Sequence, residues 1–278
     1  MYPDLKDKTA LVTGAGKRTG IGYAIAKALA QNGMNIVITD LGGAPAEIAG
    51  IKTGSSGEMT DICRELTQDH GVKALALEMD IIDSASIEKA VAAVREAFGR
   101  LDVLVNNAGA VLGAPQVVHN YDEAAWIKTI DINLHGVFRV SKAFVPIMLG
   151  APAAIVNIAS RAAKRPPLFN GAYGVAKAGV VMLTKVMAME LGGQNLRVNA
   201  VCPGLIMTDM QVQRIQMEAD VFGTTFQEAE ARLAKDVPLG RIGKPSEVAD
   251  MVVYLASGQA SYITGHAYNV GGGITMEL

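Results

Sequence analysis

Cysteine, histidine and aromatic residues are scarce in this chain, and each scarcity closes off a class of function. Two cysteines, Cys63 and Cys202, lie far apart among 278 residues, which gives neither a disulfide framework nor the short spacing of a zinc site. The four histidines are scattered without ligand spacing, so no metal is expected. Neither sign of charge prevails: 25 basic residues face 27 acidic ones, leaving no basic surplus for nucleic acid or an anionic membrane. No uninterrupted apolar run reaches the eighteen or so residues needed to span a bilayer. Met1–Lys8 carries charges where a signal peptide would have its apolar core. These absences predict a soluble, cytoplasmic protein working on small molecules.

What is plentiful is aliphatic surface and glycine: half the residues are hydrophobic and 30 are glycine. The length suits one large α/β domain spanning residues 1–278. Short apolar runs alternate with longer stretches of helical period. Thr9–Thr13, Asn35–Asp40, Lys73–Met79, Leu101–Val105, Ala153–Ala159 and Leu196–Cys202 read as buried strands. Helices are expected near 20–32, 58–70, 84–98, 122–149, 172–191 and 246–256. Such alternation predicts a doubly wound parallel sheet with helices on both faces, a Rossmann-like α/β fold. Ligands then gather at the carboxyl ends of the strands. Two segments depart from the rhythm: a Gly/Ser/Ala-rich insert at 41–57, and a Met- and Gln-rich substrate-loop region at 205–240.

The first strand runs into Thr13-Gly-Ala-Gly-Lys-Arg-Thr-Gly-Ile-Gly22 and then a helix. A glycine-rich strand-to-helix turn is a pyrophosphate cradle, because backbone N–H groups and the helix N-terminus face the anion. The G-x-G-x-x-G spacing would need glycine where Thr19 stands, but Gly16, Gly20 and Gly22 form G-x-x-x-G-x-G. Asp40 ends the second strand, 24 residues beyond Gly16, near the place of a carboxylate that binds the adenosine ribose. Such a carboxylate accepts from a free 2′-hydroxyl and repels a 2′-phosphate, which argues for NAD. Lys17 and Arg18 argue the other way, since either cation could meet that phosphate. The carboxylate is taken to govern, with NADP as the alternative.

Farther along stand Asn106-Asn-Ala-Gly109 after the fourth strand, Ser160 after the fifth, and Tyr173-Gly-Val-Ala-Lys177 in a helix. Four residues apart, Tyr173 and Lys177 share a helix face. A phenol with a pKa near 10 needs neighbouring positive charge to act as a base near neutrality.

Together these motifs resemble the short-chain dehydrogenase/reductase family over nearly the whole chain. The family's TGxxxGxG loop is stretched here by two residues, so either the loop bulges or the strand ends later. The resemblance implies a catalytic tetrad of Asn133, Ser160, Tyr173 and Lys177. Tyr173 would exchange the alcohol proton, Ser160 would donate to the substrate oxygen, and Asn133 with a helix kink would hold a water linking Lys177 to solvent. It also implies cofactor contacts from Gly14, Gly16, Gly20, Ile21, Gly22, Asp40, Tyr173 and Lys177. Asp80 and Ile81 would hold the adenine edge, and Asn107, Ala108 and Gly109 would form the floor. Pro203, Gly204, Ile206 and Thr208 would grip the nicotinamide carboxamide. Without the resemblance, Asp80 is a helix cap and the NNAG segment a tight turn.

The expected activity is interconversion of a secondary alcohol and a ketone with NAD. The runner-up is an NADPH-dependent ketoreductase acting, for example, on 3-oxoacyl thioesters; a cofactor-binding protein without turnover is the reading from another class. Pocket walls are expected from Val111, Leu112, Leu168, Phe169, Leu205, Met207 and Met210. One of Arg161, Lys164 and Arg165 could hold a substrate anion or simply be solvated. A homo-oligomer, most often a tetramer in the family, is implied.

Overall fold

The computed structural model describes residues 2–43 and 53–277. Seven parallel strands form one sheet in the order β3-β2-β1-β4-β5-β6-β7. They are β1 Thr9–Thr13, β2 Asn35–Asp40, β3 Ala74–Glu78, β4 Val103–Asn106, β5 Ala153–Ile158, β6 Leu196–Pro203 and β7 Ala267–Val270. The order reverses between β1 and β4, which opens a crevice at their carboxyl ends. Successive strand residues serve opposite faces. Ala10 and Val12 pack with the helices α1 (Ile21–Gln31), α2 (Ser56–His70) and α9 (Pro245–Ala256), while Leu11 joins the opposite layer. That second layer contains α3 (Ser84–Phe98), α5 (Gly136–Phe144) and α6 (Gly171–Leu191).

In α1 the buried residues Gly22, Ile25, Ala26, Leu29 and Ala30 recur at three- and four-residue steps, the stripe a sheet-packed helix requires. By length and composition α6, with its short extension to Gln194, is the described helix that could cross a membrane. Here it is a core helix: Ala172, Ala176, Lys177, Val180 and Thr184 are buried against the protein.

The helix expected at 122–149 is not continuous. It comprises α4 (Glu123–Ile130), a π-turn at Asp131–His135 and α5, followed by a short 3₁₀ turn. Asn133 lies in the π-turn, where its side-chain N–H groups donate to the carbonyls of Thr129 (2.9 Å) and Ala110 (2.5 Å). The side chain takes the Thr129 carbonyl, four residues back, which a regular helix would use, and π-turns occur often at functional sites.

The 205–240 region is more ordered than its composition suggests. It folds into α7 (Asp209–Phe222) and α8 (Phe226–Ala234), which share a small core of Leu205, Ile215, Ala219, Ala229, Val237, Ile242 and Ile274. Of the 41–57 insert, residues 44–52 lie outside the described residues. Its end is anchored: Gly42 bridges Ser55, and the Ser56 hydroxyl bonds Glu78 of β3.

Candidate active site

The glycine loop resolves its own odd spacing. β1 still ends at Thr13, and the two extra residues lie in a turn closed by Gly20 N–H donating to the Lys17 carbonyl (3.2 Å). The loop therefore bulges. Its glycines have different tasks. Gly14 has φ +64°, and a Cβ there would lie 2.8 Å from Ala108 Cα. A Cβ on Gly22 would lie 2.5 Å from the Gly14 carbonyl and 2.6 Å from Asn107 Nδ2. Both glycines therefore let the loop settle onto the segment after β4. That segment holds the loop in turn: Asn107 Nδ2 donates to the carbonyls of Thr13 (2.9 Å) and Gly14 (3.0 Å). The Thr13 hydroxyl accepts from the N–H groups of Asn107 and Ala108, both at 3.0 Å. Above Gly20, at the uncapped start of α1 beginning with Ile21, a Cβ would meet nothing nearer than 3.4 Å. The free N–H groups of this helix end and the space above them suit a pyrophosphate.

Asp40 is 9% exposed, and burial raises its carboxyl above the usual range. The carboxylate accepts from Gly16 N–H (3.0 Å), Leu41 N–H (2.9 Å) and the backbone of Gly54, and those bonds oppose the rise. Gly16 is small because Asp40 Cβ would lie 2.7 Å from its own Cβ. Asp40 thus braces the loop as well as ending the strand. Asp80 caps its own turn: its Oδ1 accepts from Ile82 N–H at 3.0 Å. Ile81 is buried, with its side chain against Gly136.

The loop cations are occupied. Lys17 Nζ lies 3.2 Å from Asp209 Oδ2, and the Thr19 hydroxyl donates to the same oxygen at 2.9 Å. Arg18 pairs with Glu65 (3.3 Å) and Glu58 (3.8 Å) on α2. Sequence reasoning missed all three carboxylates. Two signals were present: Glu58 and Glu65 are two helical turns apart on one face, and Asp209 directly follows Thr208.

At the chemical end, β5 delivers Ser160 and α6 delivers Tyr173 and Lys177. The Ser160 hydroxyl accepts from Ala162 N–H (3.1 Å) and is hydrogen-bonded to the Tyr173 phenol. That bond lowers the phenol pKa, though desolvation dominates and the net direction is upward. Lys177 is 3% exposed, its Nζ donating to the Ile158 carbonyl (2.9 Å) and lying 5.6 Å from the Tyr173 ring centre. Burial pulls its ammonium down to about 8. Asn133 Oδ1 is buried without a hydrogen-bond partner among the described residues, although its Nδ2 is doubly used. Gly109 keeps that region clear: a Cβ there would lie 2.6 Å from Asn133 Oδ1 and 3.5 Å from Lys177 Nζ. All four tetrad residues are therefore in one neighbourhood.

After β6, Gly204 N–H donates to the Val270 carbonyl (2.9 Å), and a Cβ on Gly204 would strike Gly271 Cα at 2.6 Å. Pro203 pairs with Val270, Ile206 bridges Gly243, and Thr208 precedes α7 with its side chain making no cap bond. Of the expected pocket walls, Leu205 is buried in the α7–α8 core, whereas Leu168, Phe169 and Met210 are exposed. No cluster of three or more metal-ligating side chains occurs among the described residues.

A parallel sheet with a glycine loop at its switch point and a Ser–Tyr–Lys group at its carboxyl edge defines the nicotinamide-dependent oxidoreductase class. Residues 14–275 match the profile of a family described as enoyl-(acyl carrier protein) reductase. Glucose 1-dehydrogenase 2 of Bacillus subtilis is 33% identical across 99% of this chain and 98% of its own. Carveol dehydrogenase of Mycobacterium avium, solved with NAD, superposes with a TM-score of 0.90 at 28% identity, covering 98% of this chain and 99% of its own. L-Sorbose reductase of Gluconobacter frateurii, solved with NADPH and L-sorbose, gives 0.88 at 29% identity over both full chains. The chain belongs to the short-chain dehydrogenase/reductase family, whose members here are NAD(P)-dependent enzymes acting on hydroxyl and keto groups.

Proposed function

We propose that this protein is an NAD-dependent dehydrogenase interconverting a secondary alcohol and a ketone, built as one domain with 205–240 as its substrate-side region. The observation that carries the reading is the convergence of Ser160, Tyr173, Lys177 and Asn133 at the carboxyl edge. The nicotinamide supplies a hydride acceptor or donor when bound. Gly16, Gly20 and Ile21 would hold its pyrophosphate, and Pro203, Gly204, Ile206 and Thr208 its carboxamide end. Tyr173 takes the proton from the alcohol oxygen, or returns it to the ketone oxygen in the reverse direction. Ser160 donates to that oxygen and stabilises the charge developing on it. Lys177 stabilises the phenolate, and the unpartnered Asn133 Oδ1 beside it suits a water carrying protons onward.

Asp40 beside Gly16 and the engagement of Lys17 and Arg18 by carboxylates support NAD over NADP. The NADPH-dependent ketoreductase is the second reading, favoured by the NADPH of the sorbose reductase and the acyl-carrier description of the family profile. Titrating the purified protein with NADH and with NADPH, followed by nicotinamide fluorescence, separates them. About tenfold tighter NADH binding is expected, and tighter NADPH binding replaces the first reading with the second. Exposed Val175, Met182, Val186 and Met189 on α6 support self-association as a homo-oligomer. Balanced charge and the burial of α6 support a cytoplasmic location.

A further inference from the structure

Between Ser160 and Tyr173 the chain leaves the sheet, and one buried cation ties that excursion back to it. A short 3₁₀ turn, Arg161–Ala163, follows Ser160 and is closed by Ala163 N–H donating to the Ser160 carbonyl at 3.0 Å. Lys164 comes next, with its side chain only 10% exposed. Its Nζ donates to the Ala267 carbonyl at the start of β7 (2.6 Å) and pairs with Glu277 Oε2 (2.5 Å). Among the described residues, no other side chain of 161–165 makes a hydrogen bond or ion pair. Glu277 is held in turn. The same Oε2 accepts from Asn269 Nδ2 of β7 at 3.4 Å, and that amide also donates to the Thr275 carbonyl at 3.3 Å.

Residues 271–277, which carry that carboxylate, also pack on the substrate-side region. A Cβ on Gly271 would lie 3.2 Å from Gly204 Cα, and one on Gly272 would lie 2.7 Å from the Val237 side chain. Leu239 N–H donates to the Gly272 carbonyl at 3.1 Å, and Ile274 is buried in the α7–α8 core. One segment therefore touches the turn at Gly204, the α7–α8 pair and, through Glu277, the turn after Ser160. Glu277 itself is 48% exposed, so the pair should contribute little to global stability. Its effect should fall on the turn it holds, where a displacement of about 1 Å can cost about 10²-fold in rate. We propose that Lys164 and Glu277 are positioning residues: their pair makes residues 271–277 a strut that sets the Ser160 hydroxyl against the turn at 203–208. This rests on the dehydrogenase reading above.

Glu277→Gln keeps the shape and removes the charge, and Lys164→Met removes the cation. Both are compared with the wild type in single-turnover oxidation of bound NADH, using whichever of ethyl acetoacetate, cyclohexanone and L-sorbose reacts fastest. The rate constant should fall about tenfold in each variant, at unchanged amplitude, while NADH affinity stays within about twofold. A merely structural defect would lower the amplitude, the fraction of active enzyme, and leave the rate constant alone. The double variant should lose no more than either single one, because both break the same tie. Glu277→Asp, which keeps the charge, should recover part of the rate. An unchanged rate constant, or losses that multiply in the double variant, overturn the strut. A second measurement is independent of turnover: hydrogen exchange of the NADH complex, read by mass spectrometry. Residues 161–165 should exchange several-fold faster in Glu277→Gln than in the wild type, with β1 unchanged. If no ketone reacts, the dehydrogenase reading loses its support, and equal exchange in both proteins would overturn the strut on its own.

Discussion

Two sets of cations stand on the carboxyl edge of the sheet, and the protein treats them in opposite ways. Lys17 and Arg18 in the glycine loop are matched by Asp209, Glu58 and Glu65, one of these contributed by a helix 192 residues away. Arg161, after Ser160, is half-buried and Arg165 is exposed, neither has an ion pair among the described residues, and the Asp236 charge opposes the pull on Arg161. In the cofactor half, charge is spent on the protein's own architecture, fixing a long loop to α2 and α7. After Ser160 it faces solvent, Arg165 exposed and Arg161 half-buried. Positive charge near a site therefore says little about ligands until its partners are counted.

The first way to break this comparison is to remove the chemistry and leave the cofactor half intact. Tyr173→Phe deletes the hydroxyl proposed to transfer the proton but keeps the ring that packs near Lys177. Turnover should fall about 10³-fold, within the usual span for a general acid or base. NADH affinity, measured by fluorescence titration, should shift by less than about threefold. A loss of both together would mean that the two halves are not separable.

Lys177 sharpens the same contrast through stability. Its folded value of about 8 lies below the 10.5 of an unburied lysine, so between these values the unfolded chain binds more protons than the folded one. Stability therefore rises with pH through that window and falls as pH drops through about 8. From pH 8 to 10 the wild type should gain about 2 kcal/mol relative to Lys177→Met. Thermal or urea unfolding of both proteins at several pH values measures it. A constant difference would show that burial does not depress this lysine.

Much of the cofactor half was legible because its constraints are local. Gly14 and Gly22 are fixed by backbone contacts that no side chain could tolerate, and such positions leave glycine in the sequence. Asn133 was found through the family motif, and the π-turn around it reflects its own hydrogen bonds to Thr129 and Ala110. The continuous helix expected at 122–149 failed for the same reason, since periodicity does not register a carbonyl taken by a side chain. The helices α7 and α8 were missed because their apolar faces pack on each other and on Ile274 rather than on the sheet. Leu205 was assigned to the pocket from its position in the chain; packing turns it into that small core. The ion-pair partners were illegible for a different reason. Asp209 meets Lys17 only once β6 has brought α7 across to the glycine loop.

That last contact gives the smallest effect and the most specific test of the difference between the two sets. Asp209 Oδ2 receives both Lys17 Nζ and the Thr19 hydroxyl, so it ties the bulged part of the loop to the start of α7. The groups are partly exposed, with side-chain exposures of 25% and 23% for Lys17 and Asp209, and an exposed pair contributes on the order of 0.2–1 kcal/mol. Asp209→Asn keeps the shape and an acceptor for Thr19 but removes the charge. NADH should then dissociate roughly two- to fivefold faster by stopped-flow displacement, the factor corresponding to that energy. The salt dependence of the rate should weaken as well, because screening has less to act on. The freed Lys17 should also narrow the preference for NADH over NADPH, since one more cation can now turn toward a 2′-phosphate. An unchanged preference with faster release would make the pair a tether of the loop alone. A narrowed preference would mean that carboxylates in the cofactor half select the cofactor by occupying the cations that would otherwise favour its phosphorylated form.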